Sequence, residues 1–252
     1  MRRHQEDLPY CQHFAIRWIV MEKRDAASYT GSTNPALVDR TLTALPDLVM
    51  AWGHGWADSR GVPRPAVVPG GFRAEVGLRG HRVRYVLHTW DRETLAALDR
   101  QVAAPGTWIK VSGGHADLRE ALSAGWTMDT TGYLMSIRFT AGTAEIGQPY
   151  EIQVATASGV VVATVVDRAG ATAASGRLAP TGEFGIIDQV ETAPAHQRRG
   201  LGTAVMRTLS DHAARNGMST GLLVATDDGR HLYQSLGWRV RSEVAAAFVP
   251  ED

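Results

Sequence analysis

Cys11 is the only cysteine in the 252 residues, which excludes an intrachain disulfide and any zinc site built on thiolates, and favours a reducing compartment. Lysine is nearly as scarce: Lys23 and Lys110 stand among many arginines, a bias to which no function attaches. There is no excess of one charge. Lys plus Arg and Asp plus Glu are 26 each, so the summed field gives no reason to expect nucleic acid or an anionic membrane as partner. No run approaches the ~20 apolar residues that span a bilayer. Near the start, Pro9, Cys11, Gln12, His13 and Arg17 interrupt what would have to be the apolar core of a signal peptide. A soluble, cytoplasmic protein is expected. The nine histidines show no HxxxH or HxxE spacing on a plausible helix, so no metal is expected, and neither a GxSxG elbow nor a Cys-His pairing supports a hydrolase.

What is present is ordinary globular material, 44% hydrophobic and 21% charged, in a chain long enough for one or two domains; two are expected. In the first half, Asn34 and Pro35 predict a helix start, with the helix running to about Leu45; Pro46 should end or kink it, and the stretch through Met50 and Trp52 to Asp58 reads as a second helix. Residues 59–71, with Pro63, Pro65 and Pro69, read as loop. Strands are expected at Phe72 to Leu78 and His81 to His88. A helix capped by Asp91 follows, then a strand at Trp108 to Val111, a helix at Ala116 to Ala124 and a strand at Trp126 to Phe139. Ala141 to Pro149 is small, polar and proline-containing and marks a junction between domains at 1–140 and 147–252. The second half predicts strands at Tyr150 to Ala157, Val160 to Val166, Thr172 to Leu178 and Glu183 to Val190. Beyond them lie a helix at Gly200 to Arg215, a strand at Thr220 to Ala225, a helix at Gly229 to Leu236 and a last strand from Trp238 to Phe248. Ser123, Ala124, Gly125, Trp126 can be laid on Ser235, Leu236, Gly237, Trp238, each after a short helix and before a strand, which suggests an internal duplication.

The segment from Val190 to Gly202 reads VETAPAHQRRGLG: a strand, a turn marked by Pro194, a basic loop, and two glycines opening a helix. At a helix start, successive N–H groups lack intrahelical partners and the macrodipole adds positive character, so an anion is welcome. Gly200 and Gly202 let phosphate oxygens approach the backbone, and Arg198 and Arg199 add charge; a pyrophosphate fits best. A Walker loop is excluded because the Lys-Ser/Thr ending is missing, and the GxGxxG spacing of a dinucleotide fold is missing too. Alone, QxxGxG could be a basic helix start that makes surface ion pairs. Its setting decides otherwise: the loop follows a strand containing Asp188 to Thr192, and Leu232, Tyr233, Gly237 and Trp238 come later.

Together these residues resemble motif A (Q/RxxGxG/A) and motif B (LYxxxGF-like) of the GCN5-related N-acetyltransferase (GNAT) superfamily, over about residues 150 to 250. The resemblance implies an α/β fold with a mixed sheet, a GNAT domain preceded by a degenerate GNAT-like domain, and an N-acetyltransferase. Such an enzyme uses acetyl-CoA as cosubstrate and transfers its acetyl group to a primary amine of a small molecule or peptide by direct attack. It also implies roles. Val190 and Thr192 match main-chain positions that bind the pantetheine and polarise the acyl carbonyl. Gln197, Arg198, Arg199, Gly200, Leu201 and Gly202, with Thr203 close behind, match the pyrophosphate loop, and Tyr233 matches the tyrosine that often protonates the departing thiolate. A base on the strand commonly matches Ile186 or Asp188; the first is apolar, leaving Asp188, with a structural carboxylate as the alternative reading and Glu183 and Glu191 as weaker candidates.

The sequence departs from the family in two places. The second half moves from strand to strand without the two helices that usually wall the acceptor site, so either the first half supplies the wall or the site is open. The first half has Thr89 to Leu95 where the QxxGxG loop would be, and Ala121 in the place of Tyr233, so it is not expected to bind CoA this way. His54 in the WGHGW run, and Trp52, Trp56, Trp90 and Trp108, read as packing residues before they read as pocket residues. A non-catalytic acyl-CoA-binding or regulatory module and a structural interaction protein remain as rival readings. The acceptor, the acyl length and the oligomeric state, a homodimer included, are open.

Overall fold

Strand alternation and helix periodicity place the apolar residues so that one sheet must be covered on both sides. The computed structural model describes residues 44–251 and shows how this is done. In chain order the elements are α1 (Leu45–Arg60), β1 (Ala66–Val68), β2 (Gly71–Leu78), β3 (His81–Leu87), α2 (Arg92–Val102), β4 (Thr107–Ser112), α3 (His115–Ala121) and β5 (Thr127–Arg138). They continue with β6 (Glu151–Ala157), β7 (Val160–Val166), β8 (Thr172–Thr181), β9 (Phe184–Thr192), a 3-10 turn at Pro194–His196, α4 (Leu201–Arg215), β10 (Thr220–Ala225), α5 (Asp227–Ser235) and β11 (Arg239–Phe248).

All eleven strands form one mixed sheet in the order β1-β2-β3-β4-β11-β5-β10-β9-β8-β7-β6. Hairpins build both wings. In the middle, β11 is hydrogen-bonded to both β4 and β5, and β5 in turn to β10, all antiparallel. The last strand of each half therefore lies against strands of the other half. Flanking this core, β3 runs parallel to β4, and β9 parallel to β10. The junction expected at residues 141–149 has neither helix nor strand, while the sheet continues through both halves.

The two faces are covered unequally. Leu134, Ile186, Leu222 and Val244 pack with Leu48, Val49, Trp52 and Trp56 of α1 and with Phe72. Their strand neighbours Met135, Ile187 and Leu223 pack with Leu201, Val205 and Leu209 of α4. On that second face Ile109, Val111, Ala245 and Ala247 meet Leu95 of α2 and Leu118 of α3. So α1, from the first half, crosses the sheet alone among the described helices, while α2 to α5 share the other side. Its close seat comes from the WGHGW run: a Cβ on Gly53 would lie 2.3 Å from the Phe72 ring, and one on Gly55 2.7 Å from Ile186.

Two expectations are corrected. Pro46 opens α1 rather than ending a helix, because its missing N–H falls in the first turn where no intrahelical acceptor exists; Gly61 at φ 63 stops α1 by donating to Ala57 and Asp58. The helix expected from Pro35 lies, up to residue 43, outside the described residues. Residues 59–71 are not all loop, since Ala66–Val68 adds a short edge strand to β2. Trp52 and Trp56 are core residues, and Trp108 stacks between His81 and Phe248. No described helix is long and apolar enough to cross a membrane.

Candidate functional site

Parallel β9 and β10 stay paired for only three rungs, Phe184 with Thr220, Gly185 with Gly221 and Ile186 with Leu222. Beyond them β9 continues to Thr192 bonded only to β8, and β10 continues to Ala225 bonded only to β5. From Ile187 and Leu223 onward the two facing edges therefore diverge with their main-chain groups unladdered. The cause is a bulge. Asp188 opposes Arg177 and Glu191 opposes Ser175, so Gln189 and Val190 together face the single residue Gly176, with Gln189 at φ 52. A Cβ on Gly176 would come within 2.7 Å of Val205 and 3.2 Å of Val190, so this glycine lets α4 settle onto the bulge. Val190 and Thr192, expected to meet a pantetheine, lie on the splayed length of β9.

That strand delivers the chain to the start of α4. Arg198 (φ 62) and Gly200 (φ 77) turn the backbone in the left-handed region, and Gly200 caps α4 without any side-chain hydrogen bond. The first helical bond is Ala204 N–H to Gly200 C=O. Among the described residues the N–H groups from Arg198 to Thr203 find no acceptor. A Cβ on Gly200 would meet nothing within 4 Å, so the turn is open at that residue. Gly202 lies where a Cβ would touch Leu232 at 3.4 Å and Thr192 Oγ1 at 3.6 Å, which brings strand end, helix start and α5 together.

The loop is braced from below. Gln197 Nε2 donates to Thr192 C=O at 3.4 Å, Arg199 Nη1 donates to Tyr150 Oη at 2.8 Å, and Tyr150 Oη lies 2.9 Å from His196 Nδ1. Arg199 is thus directed at Tyr150, a partnership that sequence spacing does not reveal, whereas Arg198 is exposed. The start of α2 in the first half is the opposite case. Asp91 closes it, its carboxylate accepting from Thr94 N–H at 2.7 Å in a full capping box, so no comparable anion seat remains.

Tyr233 projects from α5, half-buried beside Trp238 with ring centroids 6.2 Å apart. Burial, and next the charge of Asp188, push its phenol up to about 12. Among the described residues its hydroxyl has no hydrogen-bond partner.

Asp188 is engaged. Arg60 grips it with Nε to Oδ2 at 2.6 Å and Nη2 to Oδ1 at 2.9 Å, and Ser59 Oγ donates to Oδ2 at 3.2 Å. Burial alone would lower Arg60; the hydrogen bonds and charge of Asp188 outweigh it and hold the guanidinium above its ordinary value. Arg177 Nη1 donates to Ser59 C=O at 2.7 Å, so the end of α1 is tied to β8 and β9. Here α1 stands over the half of the sheet that has no helices of its own on that face. Neither Ser59 nor Arg60 carried any sequence signal for this role, since both lie well over a hundred residues from Asp188. Glu183 binds Ser219 Oγ at the far end of the strand, and Glu191 is exposed.

Residues 165–247 match the family model described as FR47-like protein. No curated protein matches this sequence. A GCN5-related N-acetyltransferase from Kribbella flavida is similar in structure, with a TM-score of 0.60 and 14% identity over 83% of this chain and 98% of that one. A GCN5-related N-acetyltransferase from Sphaerobacter thermophilus follows with TM-score 0.52 and 13% identity over 70% and 75% of the two chains. A GCN5-related N-acetyltransferase-like protein from Streptococcus suis gives TM-score 0.52 and 13% identity over 74% and 88%. With its splayed parallel strands, its open helix start and its FR47-like segment, the chain has the GCN5-related N-acetyltransferase fold.

Proposed function

We propose that the protein is a cytoplasmic N-acetyltransferase that uses acetyl-CoA and acetylates a primary amine by direct attack. The observation that carries this reading is the run of N–H groups from Arg198 to Thr203, without partners among the described residues, in a turn open at Gly200 and at the end of a strand no longer paired with β10. These donors and the dipole of α4 fit a pyrophosphate. Acetyl-CoA, when bound, supplies the activated acyl group. The main chain of β9 at Val190 and Thr192 orients the thioester arm, and the N–H at Val190 polarises the carbonyl. Tyr233, protonated across the working pH range, gives its proton to the leaving thiolate; the attacking amine loses one to water. Titration with acetyl-CoA, followed by turnover against a panel of amines, tests the reading. Binding without turnover would leave a regulatory acyl-CoA module, and no binding would remove both.

Tyr233→Phe should lower kcat about 10- to 100-fold, roughly 1.4 to 2.7 kcal/mol of barrier, with acetyl-CoA affinity and melting temperature unchanged. A packing residue would scarcely register the lost hydroxyl, so an unaltered kcat assigns Tyr233 to the core. Because the phenol lies near 12, the pH profile of the native enzyme below pH 10 should contain no limb that vanishes in this variant.

For Asp188 we propose a positioning role, since both carboxylate oxygens are occupied by α1. Asp188→Asn should keep the shape of the kcat/KM pH profile while destabilising the fold by about 1 kcal/mol, the modest loss expected of a partly exposed pair. Disappearance of the acidic limb would restore Asp188 as the base.

We also infer that the halves 1–140 and 147–252 descend from a duplication. The sheet order supports it, reading outward from the β11–β5 pair as a parallel pair and then hairpins on either side. The capping box on α2 and the small Ala121 then mark the first half as the one that does not hold CoA.

A further inference from the structure

On the α1 face of the sheet lies a charged cluster that the transfer step described above does not use. Arg84 of β3 lies within reach of the charges of Arg60 of α1, Asp188 of β9 and Asp129 of β5. Asp188 is occupied by Arg60, and among the described residues no carboxylate hydrogen-bonds Arg84. Its guanidinium lies over the indole of buried Trp56, 4.3 Å from the ring centroid, and Nε donates to His81 Nε2 at 3.1 Å. His81 offers an acceptor and no charge: burial, and then the neighbouring Arg84, bring its pKa down to about 2. Asp129 forms no ion pair with Arg84. A cation removed from water without a bonded anion is costly. Burial foremost, then the charge of Arg60, bring Arg84 down to about 9, so it remains protonated at neutral pH.

The stack on Trp56 and the bond to His81 fix the plane of the guanidinium and use its Nε, which leaves the Nη edge as a preset two-pronged donor. That is the geometry that takes a carboxylate bidentately. The cluster reaches the splayed strands, because Asp188, gripped by Arg60, lies on β9 just beyond Ile186, the last rung at which β9 and β10 are paired.

Resting on the acetyltransferase reading, we infer that Arg84 anchors a carboxylate on the acceptor, so that the substrate is an amino-acid-like amine and not a polyamine or aminoglycoside. Asp188 already holds Arg60, whereas a carboxylate on the acceptor would complete Arg84, to which no described carboxylate is hydrogen-bonded.

Matched pairs test this in the native protein: glycine against glycinamide, β-alanine against its amide, lysine against lysinamide, with spermidine as the polycation. The acids should exceed their amides at least 100-fold in kcat/KM, mostly through KM. In Arg84→Met the ratio should fall below 10-fold, and in Arg84→Lys to an intermediate value, with the dissociation constant of acetyl-CoA unchanged in both. Equal turnover of acids and amides, or preference for spermidine, overturns the carboxylate anchor and leaves the transferase standing. Acetyl-CoA binding with no turnover of any amine overturns both.

Discussion

Gly200→Val should weaken acetyl-CoA binding at least 100-fold, about 2.7 kcal/mol. Two effects add. At φ 77 the backbone is in the left-handed region, where a β-branched residue is strained by about 1–2 kcal/mol, and relief of that strain would rotate the donors that Arg198 to Thr203 present. The new side chain would also occupy the open space at Gly200, beside the N–H groups that the proposed phosphate oxygens would have to approach within hydrogen-bond distance. A control separates strain from blockage. Gly159 has φ 78, open surroundings and a place in the β6–β7 turn. Gly159→Val should lower the melting temperature by a similar amount and leave affinity intact. Calorimetric titration of the two variants decides; affinity for Gly200→Val within threefold of native would mean that the diphosphate lies elsewhere.

Much of this site is legible in the sequence because its parts are local. The strand, the turn at Pro194, the two glycines and the helix follow one another without interruption, and a glycine at a helix start states its own conformational reason. The eleven strands and the helices α2 to α5 were readable in the same way, β1 excepted, since periodicity and turn residues report on neighbours in the chain. Partners in space are not reported. Nothing in Arg239–Phe248 says that it will lie between β4 and β5, because an apolar strand accepts any neighbour of suitable register. Asp188 stood out through the resemblance, as the acidic one of two matching strand positions, but the arginine that occupies it arrives from residue 60. Arg199 read as a phosphate ligand, and its side chain is drawn to Tyr150 at the start of the second half. The WGHGW run stood out as unusual, yet its purpose, two missing side chains that admit Phe72 and Ile186, exists only once the sheet is assembled.

That closeness gives the largest expected loss of stability. Gly55→Val should cost about 3 kcal/mol or more, the upper end for overpacking, and lower the melting temperature by about 6–12 °C for a protein of this size. The new Cβ would lie 2.7 Å from Ile186 Cγ1 and 2.8 Å from its Cβ, and Ile186 is fully buried with no space to yield. Ile186 also forms the last rung at which β9 and β10 are paired, so the sheet is braced at that point and α1 must lift. Lifting α1 draws Trp52 and Trp56 out of their contacts and pulls Ser59 and Arg60 from Asp188 and Arg177. The turn at 197–200 leads into α4, which packs on the other face and shares no core cluster with α1. Gly55→Val should therefore raise the KM for the acceptor while acetyl-CoA still binds within threefold of native below the melting transition. Parallel loss of both affinities would show that α1 supports the whole sheet and does not selectively wall the acceptor side; an unchanged melting temperature would show that the helix can slide, and that the close approach at Gly55 is not what holds it.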